Sequence, residues 1–184
     1  IGGFSPTIAS YISLKRNNKV ENLKEWLKKI FDIKHNIWTY VLVILFVLIY
    51  YVLGCAINGF EFGAPIFMLI VILPMMLFGG GNEEVGWRMI LQPELEKKFG
   101  FHIATIFTSI IWWLWHLPIF FIIGTANANM NYFLFGIMCL TLCYALATIR
   151  KVSKGVFPCI LTHCLINGLS AILVFNYSLL SCCI

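Results

Sequence analysis

The chain has 184 residues, of which 60% are hydrophobic and 11% are charged, and its mean hydropathy is +0.89. A single soluble core of this length cannot bury so much apolar surface, so the composition excludes an ordinary soluble domain. The formal net charge of +5 is better explained by basic segments that flank a membrane than by a nucleic-acid surface. We therefore predict one all-α domain over residues 1–184, a polytopic transmembrane helix bundle with no nucleic-acid partner.

The first residues, Gly2 to Leu14, are apolar but too few to span a bilayer, and we expect one or more further spans before them. Residues 15–35 then form a basic segment in which apolar residues recur at helical spacing. This pattern is typical of an amphipathic helix that lies on a membrane, with its cationic face toward anionic headgroups. A docking site for a protein partner is the alternative interpretation of this segment.

Long hydrophobic stretches follow, and each of them can form a helix that crosses a hydrocarbon core roughly 30 Å thick. We predict spans at about 37–57, 64–80, 101–123, 131–149 and 156–175, with a separate motif helix at 82–98. Among the connections between spans, only alternate ones contain lysine or arginine, namely 15–34, 97–98 and 150–154. This alternation predicts five membrane crossings, with the basic loops in the cytoplasm.

The sequence GGGNEEVGWR at residues 79–88 places two carboxylates and one guanidinium inside otherwise apolar sequence. A charged side chain at the bilayer centre costs roughly 2.5–3.5 kcal/mol, so these three must face protein or a wet cavity. Glu84 and Arg88 are one helical turn apart and can form an ion pair. Glu83 is then the remaining carboxylate and a candidate general base, although all three could instead brace the bundle.

Three more polar residues occur inside later spans. His116, in WWLWHLPIF, lies at the depth of Glu83 if the helices around Gly100 form a hairpin. His163 and Asn167 are four residues apart on one face of the last span, and helix tilt must bring them to the same depth. Each residue alone is explained by a hydrogen bond between helices, but an apolar bundle has no structural need to bury all of them.

Hydrolysis of a peptide bond by water needs a base that activates the water, hydrogen-bond donors to the developing oxyanion and an acid for the leaving amine. Glu83 with His116 can hold and deprotonate a water molecule, and His163 with Asn167 can donate hydrogen bonds to the oxyanion. No serine or cysteine stands beside a base at the spacing of a catalytic triad. The competing classes are a non-catalytic membrane immunity or interaction protein and a small proton-coupled transporter.

Three ordered motifs carry a resemblance to a known family. They are E-E-x-x-x-R at residues 83–88, an aromatic-x-x-x-His from Trp112 to His116, and His-x-x-x-Asn at residues 163–167. Together they resemble the CAAX protease and bacteriocin-processing (CPBP, Abi) family of intramembrane proteases, which is related to the Ras-converting CAAX endopeptidases. The resemblance covers roughly residues 2–173, and Trp112 stands where phenylalanine is common in that family.

The resemblance implies an intramembrane catalytic cavity and a role for each motif residue. It implies that Glu83 is the base, that His116 shares the water, and that Glu84 and Arg88 support the site. His163 and Asn167 would stabilise the oxyanion.

Cofactor and biological context are also expectations. Zinc or another divalent metal could be held by Glu83, Glu84, His116 and His163. The chain has no H-E-x-x-H pair, however, and its similarity to glutamate-dependent members favours a mechanism that requires no cofactor. The implied partners are membrane lipids and a membrane-associated peptide or protein substrate. The implied setting is a multi-pass protein of the bacterial plasma membrane, with bacteriocin self-immunity or peptide pheromone processing as its role and without prenylated substrates.

Overall fold

The computed structural model describes residues 2–176 and 178–183, and this part of the chain is almost entirely helical, as predicted. Two strands of two residues each form a minimal antiparallel sheet. The helices and strands are α1 Ser5–Arg16, α2 Leu23–Ile30, α3 Ile37–Asn58, β1 Glu61–Phe62, α4 Leu69–Met76, α5 Glu84–Gly86, α6 Gln92–Trp115, α7 Tyr132–Ser153, α8 Phe157–Ser170, β2 Leu173–Val174 and α9 Leu179–Cys182.

Two long apolar helices, α3 and α7, begin at asparagine caps. The Asn36 side chain accepts a hydrogen bond from the backbone N–H of Trp38, and Asn131 accepts from those of Phe133 and Leu134. An asparagine in this position satisfies backbone donors that have no partner inside the helix. The polar residues between spans therefore set where these helices begin.

Several helices have the length and composition of membrane spans. Among the described residues, three helical stretches are long and apolar enough to cross a membrane, namely Ile37–Asn58, Ile66–Phe121 and Tyr132–Ser153, and Phe157–Ser170 is a shorter apolar helix. Large apolar side chains such as Ile70 are exposed on their outer faces. Such a surface is suited to lipid and not to water. The number of crossings and their orientation stay predictions.

The basic segment at 15–35 is not one continuous helix. α1 continues through Arg16, and the chain then turns through Asn17 and Asn18, whose φ of 53° is left-handed. Asn22 restarts the helix, since its side chain accepts a hydrogen bond from the N–H of Glu25. Asparagine tolerates the left-handed conformation and caps helices, which is why the apolar periodicity alone did not reveal this break.

The predicted span 64–80 and the predicted motif helix 82–98 are also not continuous helices with those bounds. A 3₁₀ turn at Ile66–Met68 leads into α4, and residues 77–80 leave the helix before the acidic pair. The next residues form a motif segment, residues 81–91, which consists of a 3₁₀ turn, α5 and a π-helix at Trp87–Leu91. Gly100, with a φ of 74°, turns the chain inside α6, as a residue without Cβ readily does.

Two predicted spans end earlier than expected. α6 ends at Trp115, and a 3₁₀ turn at Leu117–Phe121 replaces the rest of the predicted helix 101–123. Pro118 explains this end, because proline disfavours the helical conformation of the residue before it. α8 ends at Ser170, after which β2 pairs with β1, so residues 173–174 are a strand and not the end of a span.

The bundle core lies where α3, α6, α7 and α8 meet. Val43, Cys143, Leu146 and Cys159 are completely buried there. The motif segment packs against this core on one side and against α1 on the other. The acidic pair is consequently held between tightly packed helices and not at the lipid-facing surface.

Candidate active site

Glu83 lies at the end of the 3₁₀ turn that opens the motif segment, and it is buried. Its Oε2 atom accepts hydrogen bonds from two indoles, from Nε1 of Trp112 at 3.1 Å and from Nε1 of Trp87 at 3.4 Å. These donors hold one oxygen of the carboxylate. The other oxygen, Oε1, has no hydrogen bond to the described residues and is free to take a proton.

Glu84 is fully buried and has two partners. Its Oε2 accepts from Nε of Arg88 at 2.9 Å, which is the ion pair expected from their spacing, and its Oε1 lies 2.8 Å from Nδ1 of His163. A carboxylate paired with arginine can only accept, so Nδ1 of His163 donates. Glu84 therefore joins the motif segment to α8 and directs Nε2 of His163 away from itself.

Arg88 is fully buried and anchors a wider polar network. Its Nη1 donates to Oε1 of Gln92 at 3.3 Å, and its Nη2 donates to Sγ of Cys143 at 3.0 Å. Gln92 in turn donates to Oγ1 of Thr105 at 3.1 Å. A buried guanidinium is tolerated only when its donors are satisfied in this way.

His116 lies at the C-terminal end of α6, immediately before the 3₁₀ turn. Its Nδ1 is 2.7 Å from the carbonyl oxygen of Trp112, and since a carbonyl only accepts, Nδ1 carries the proton in this contact. A neutral His116 therefore presents the lone pair of Nε2. The Trp112 ring packs edge-on against both imidazoles, with its centroid 5.4 Å from that of His116 and 5.5 Å from that of His163.

Asn167 lies one helical turn after His163, and both approach the backbone of Gly80. A Cβ atom at residue 80 would come within 2.5 Å of Nδ2 of Asn167 and 3.1 Å of Nε2 of His163. The absence of a Cβ atom at Gly80 lets the chain approach the two side chains this closely. Their nitrogen atoms are thereby gathered at one point just before the motif segment.

One cavity of about 680 Å³ joins these groups. Glu83, His116, His163 and Asn167 all line it, while Glu84 and Arg88 lie behind its wall. Its size is that of a ligand site, and most of its lining is apolar. The apolar part of the wall includes Phe78, Trp115, Ile119, Phe135, Met138, Leu142 and Ile166.

The sequence prediction missed several contacts of this site. It named Trp112 only as an aromatic position, whereas the indole N–H contacts Glu83. It also left out Gln92, although residues 84, 88, 92 and 96 recur at four-residue spacing and form a linked polar row. That spacing was a usable signal. The approach of Gly80 and the contact of Cys143 with Arg88 depend on helix packing and gave no signal in the sequence.

The residues proposed as alternative zinc ligands do not form a metal centre here. Among the residues the structure describes, no group of three or more His, Cys, Asp or Glu side chains is arranged to hold a metal ion. Both oxygens of Glu84 are already used, by Arg88 and by His163. The mechanism proposed below therefore has no metal step, and metal independence stays a prediction.

The fold and the cavity define a polytopic helical membrane protein with a polar site enclosed by apolar helices. The family model described as type II CAAX prenyl endopeptidase Rce1-like matches residues 34–169. The chain is also 25% identical to CAAX prenyl protease 2 of Methanococcus maripaludis, over 90% of this chain and 68% of that protein. The chain belongs to the Rce1-like family of type II CAAX prenyl endopeptidases. It is thus a membrane peptidase, an intramembrane protease of the CAAX type.

Proposed function

We propose that the chain hydrolyses a peptide bond in a membrane-associated peptide or protein, using a water molecule activated by Glu83 and His116. The observation that carries this proposal is the convergence of Glu83, His116, His163 and Asn167 on one cavity with mainly apolar walls. An acid, two imidazoles and an amide on three separate parts of the chain are the groups that a water-activating protease needs.

In the first step, Glu83 and His116 would hold the water. Oε1 of Glu83 is the free carboxylate oxygen, and Nε2 of His116 can accept a second hydrogen bond from the water. Glu83 takes one water proton as the oxygen attacks the peptide carbonyl carbon. Trp112 and Trp87 keep Oε2 occupied, so the proton is directed to Oε1.

The attack converts the carbonyl oxygen into an oxyanion. Nδ2 of Asn167 donates to it, and so does Nε2 of His163 when that ring carries both protons. Glu83 then returns its proton to the amide nitrogen as the carbon–nitrogen bond breaks, and the products are an amine and a carboxylic acid, which gives up the second water proton to the solvent or to the amine.

The apolar cavity wall favours a substrate that is already in the membrane. A peptide segment with large apolar side chains would bury them against residues such as Phe135 and Met138. The biological setting we propose is the bacterial plasma membrane, with basic loops in the cytoplasm and a role in bacteriocin self-immunity or peptide pheromone processing. The family's prenyl substrates are not required by this mechanism.

A cleavage assay in liposomes tests the proposal. A library of membrane-associated peptides is incubated with wild type and with Glu83→Gln, and products are identified by mass spectrometry. We expect cleavage by wild type and none by Glu83→Gln. Glu61→Gln, a matched change at an exposed carboxylate in β1, should cleave as wild type does.

The same variants separate an enzyme from the competing classes. A non-catalytic immunity protein would protect cells equally well with Glu83→Gln or His116→Ala. A proton-coupled transporter would acidify liposomes without releasing peptide products. Either result, obtained with folded protein, would contradict the proposed hydrolysis.

A further inference from the structure

The apolar side of the short helix α2 is buried along one edge and exposed along the other. Trp26 and Ile30 point inward and are only 7% and 4% exposed. Leu23, Leu27 and Phe31 recur every four residues on another side and are 52%, 39% and 52% exposed. The inward pair explains how α2 packs on the protein. The outward row, which we call the α2 outer face, is about half exposed.

Basic side chains lie directly beside the α2 outer face. Lys24 and Lys28 each follow one of its leucines and are exposed. Glu25, the acidic residue of this helix, is paired with Lys29 at 2.9 Å. Lys24 and Lys28 form no ion pair with any residue that the structure describes. The outer face thus combines an apolar row with two uncompensated positive charges, which is the composition that inserts between anionic lipid headgroups.

α2 is connected to the motif segment through α1. Nε1 of Trp26 donates to Oγ of Ser10 at 3.1 Å, and this bond joins the two helices. Three residues earlier in α1, Oγ1 of Thr7 donates to the carbonyl oxygen of Asn82 at 2.7 Å. Asn82 immediately precedes Glu83, so this contact reaches the candidate base.

α1 and the motif segment also pack without a gap. A Cβ atom at Gly86 would lie 2.4 Å from Cβ of Pro6, so glycine is needed there for the two elements to meet. A shift of α1 would therefore displace the motif segment, which contains Glu83 and Glu84. The contacts form a continuous path from the α2 outer face to the cavity.

We propose that the α2 outer face binds the headgroups of anionic phospholipids, and that this binding steadies the motif segment through α1. Leu23, Leu27 and Phe31 enter the boundary between headgroups and acyl chains, and Lys24 and Lys28 contact phosphates. The lipid-binding part is independent of the proposed peptidase mechanism. The effect on cleavage rests on that mechanism.

Lipid binding is tested first, without any substrate. Detergent-purified protein is titrated with phosphatidylglycerol or phosphatidylcholine, and bound lipid is counted by native mass spectrometry. Each lysine near an anionic surface contributes about 1 kcal/mol, so Lys24→Gln/Lys28→Gln should bind phosphatidylglycerol roughly 30-fold more weakly. The control Lys98→Gln/Lys154→Gln removes two exposed charges elsewhere and should bind as wild type does. Equal loss in both variants, or no preference of wild type for phosphatidylglycerol, would overturn the proposal.

Coupling is tested next, in vesicles of phosphatidylcholine with and without phosphatidylglycerol. We expect wild type to cleave faster in the anionic vesicles and Lys24→Gln/Lys28→Gln to cleave at one rate in both. A variant that loses lipid binding but keeps the wild-type response would refute the path through α1. If wild type cleaves nothing in either vesicle, the peptidase proposal fails while the lipid-binding result stands.

Discussion

The indole Nε1 of Trp112 donates a hydrogen bond to Oε2 of Glu83 over 3.1 Å. The same indole packs against the rings of both His116 and His163. One side chain thus touches three of the four polar groups of the cavity. Since phenylalanine, the residue expected at this position from the family resemblance, has no N–H, the contact with Glu83 is a feature that the tryptophan adds.

Replacing Trp112 by phenylalanine should slow catalysis with little effect on substrate binding. A hydrogen bond to a charged group is worth about 1.5–3 kcal/mol. Because Trp87 still donates at 3.4 Å, we expect the lower end, a kcat roughly ten-fold smaller with an unchanged KM. Steady-state cleavage of a peptide found with wild type measures both constants.

Trp113→Phe is the matched control for this change. Its Nε1 donates to the carbonyl oxygen of Tyr132 at 2.9 Å, away from the carboxylate. The control should lose similar stability and keep kcat. Equal kcat in the two variants would mean that the bond from Trp112 does not position the base.

Gly80→Ala should disable the oxyanion donors. The new methyl group would overlap Nδ2 of Asn167 at 2.5 Å and crowd Nε2 of His163 at 3.1 Å. We expect activity to fall by at least ten-fold while the protein stays folded. Gly79→Ala is the matched control, because a Cβ there meets nothing closer than Cε of Met76 at 3.4 Å. Equal loss in both variants would count against a site at Gly80.

Asn167→Ala should remove one hydrogen-bond donor from the oxyanion. Loss of one such donor typically lowers kcat by about 10²–10³-fold, with KM little changed. Thr162→Ala, on the same helix, also removes a buried hydrogen bond, the one from Oγ1 to the carbonyl oxygen of Pro158, but Thr162 does not line the cavity. If both variants lose kcat alike, the effect of Asn167 is structural.

Glu84→Ala should destabilise the fold as well as the site. It leaves the buried guanidinium of Arg88 without its carboxylate, and breaking a buried pair in this way costs about 3–5 kcal/mol. Denaturant titration in mixed micelles measures the free energy of unfolding. Glu94→Ala removes an exposed carboxylate that contacts Lys19 and Lys97, and it should cost less than about 1 kcal/mol. Similar losses in both variants would contradict the role of Glu84 inside the core.

Cleavage should continue after chelation. The cavity offers Glu83, His116 and His163, but Glu84 is already committed to two protein partners. We expect protein treated with a chelator and checked by elemental analysis to retain its activity. Full loss that added zinc restores would overturn the metal-free mechanism.

Much of the helical fold could be predicted because apolar length and composition are properties of single segments. The pair of Glu84 and Arg88 was likewise visible, since residues four apart meet on any helix. The points at which helices are interrupted were harder to predict from the sequence. The break between α1 and α2 and the early end of α6 at Pro118 depend on single residues inside patterns that otherwise continue.

The site needed three-dimensional packing to be understood. From the sequence alone, helix tilt was needed to bring His163 level with Glu83, and the packing of α8 places its Nδ1 2.8 Å from Oε1 of Glu84. No spacing rule links residues 84 and 163, because they belong to elements distant in the chain. The pairing of β1 with β2 was missed for the same reason, since two-residue strands have no periodicity to detect.

The double use of Glu84 has an evolutionary consequence. The carboxylate of Glu84 both neutralises Arg88 and orients His163. A substitution that releases His163 would therefore also leave the buried charge of Arg88 unpaired. Glu83, by contrast, faces a cavity and supports no buried charge. We therefore expect descendants that have abandoned proteolysis for a purely binding role to change residue 83 early and to keep residue 84, and paralogues that lack the first glutamate but retain the second would be their signature.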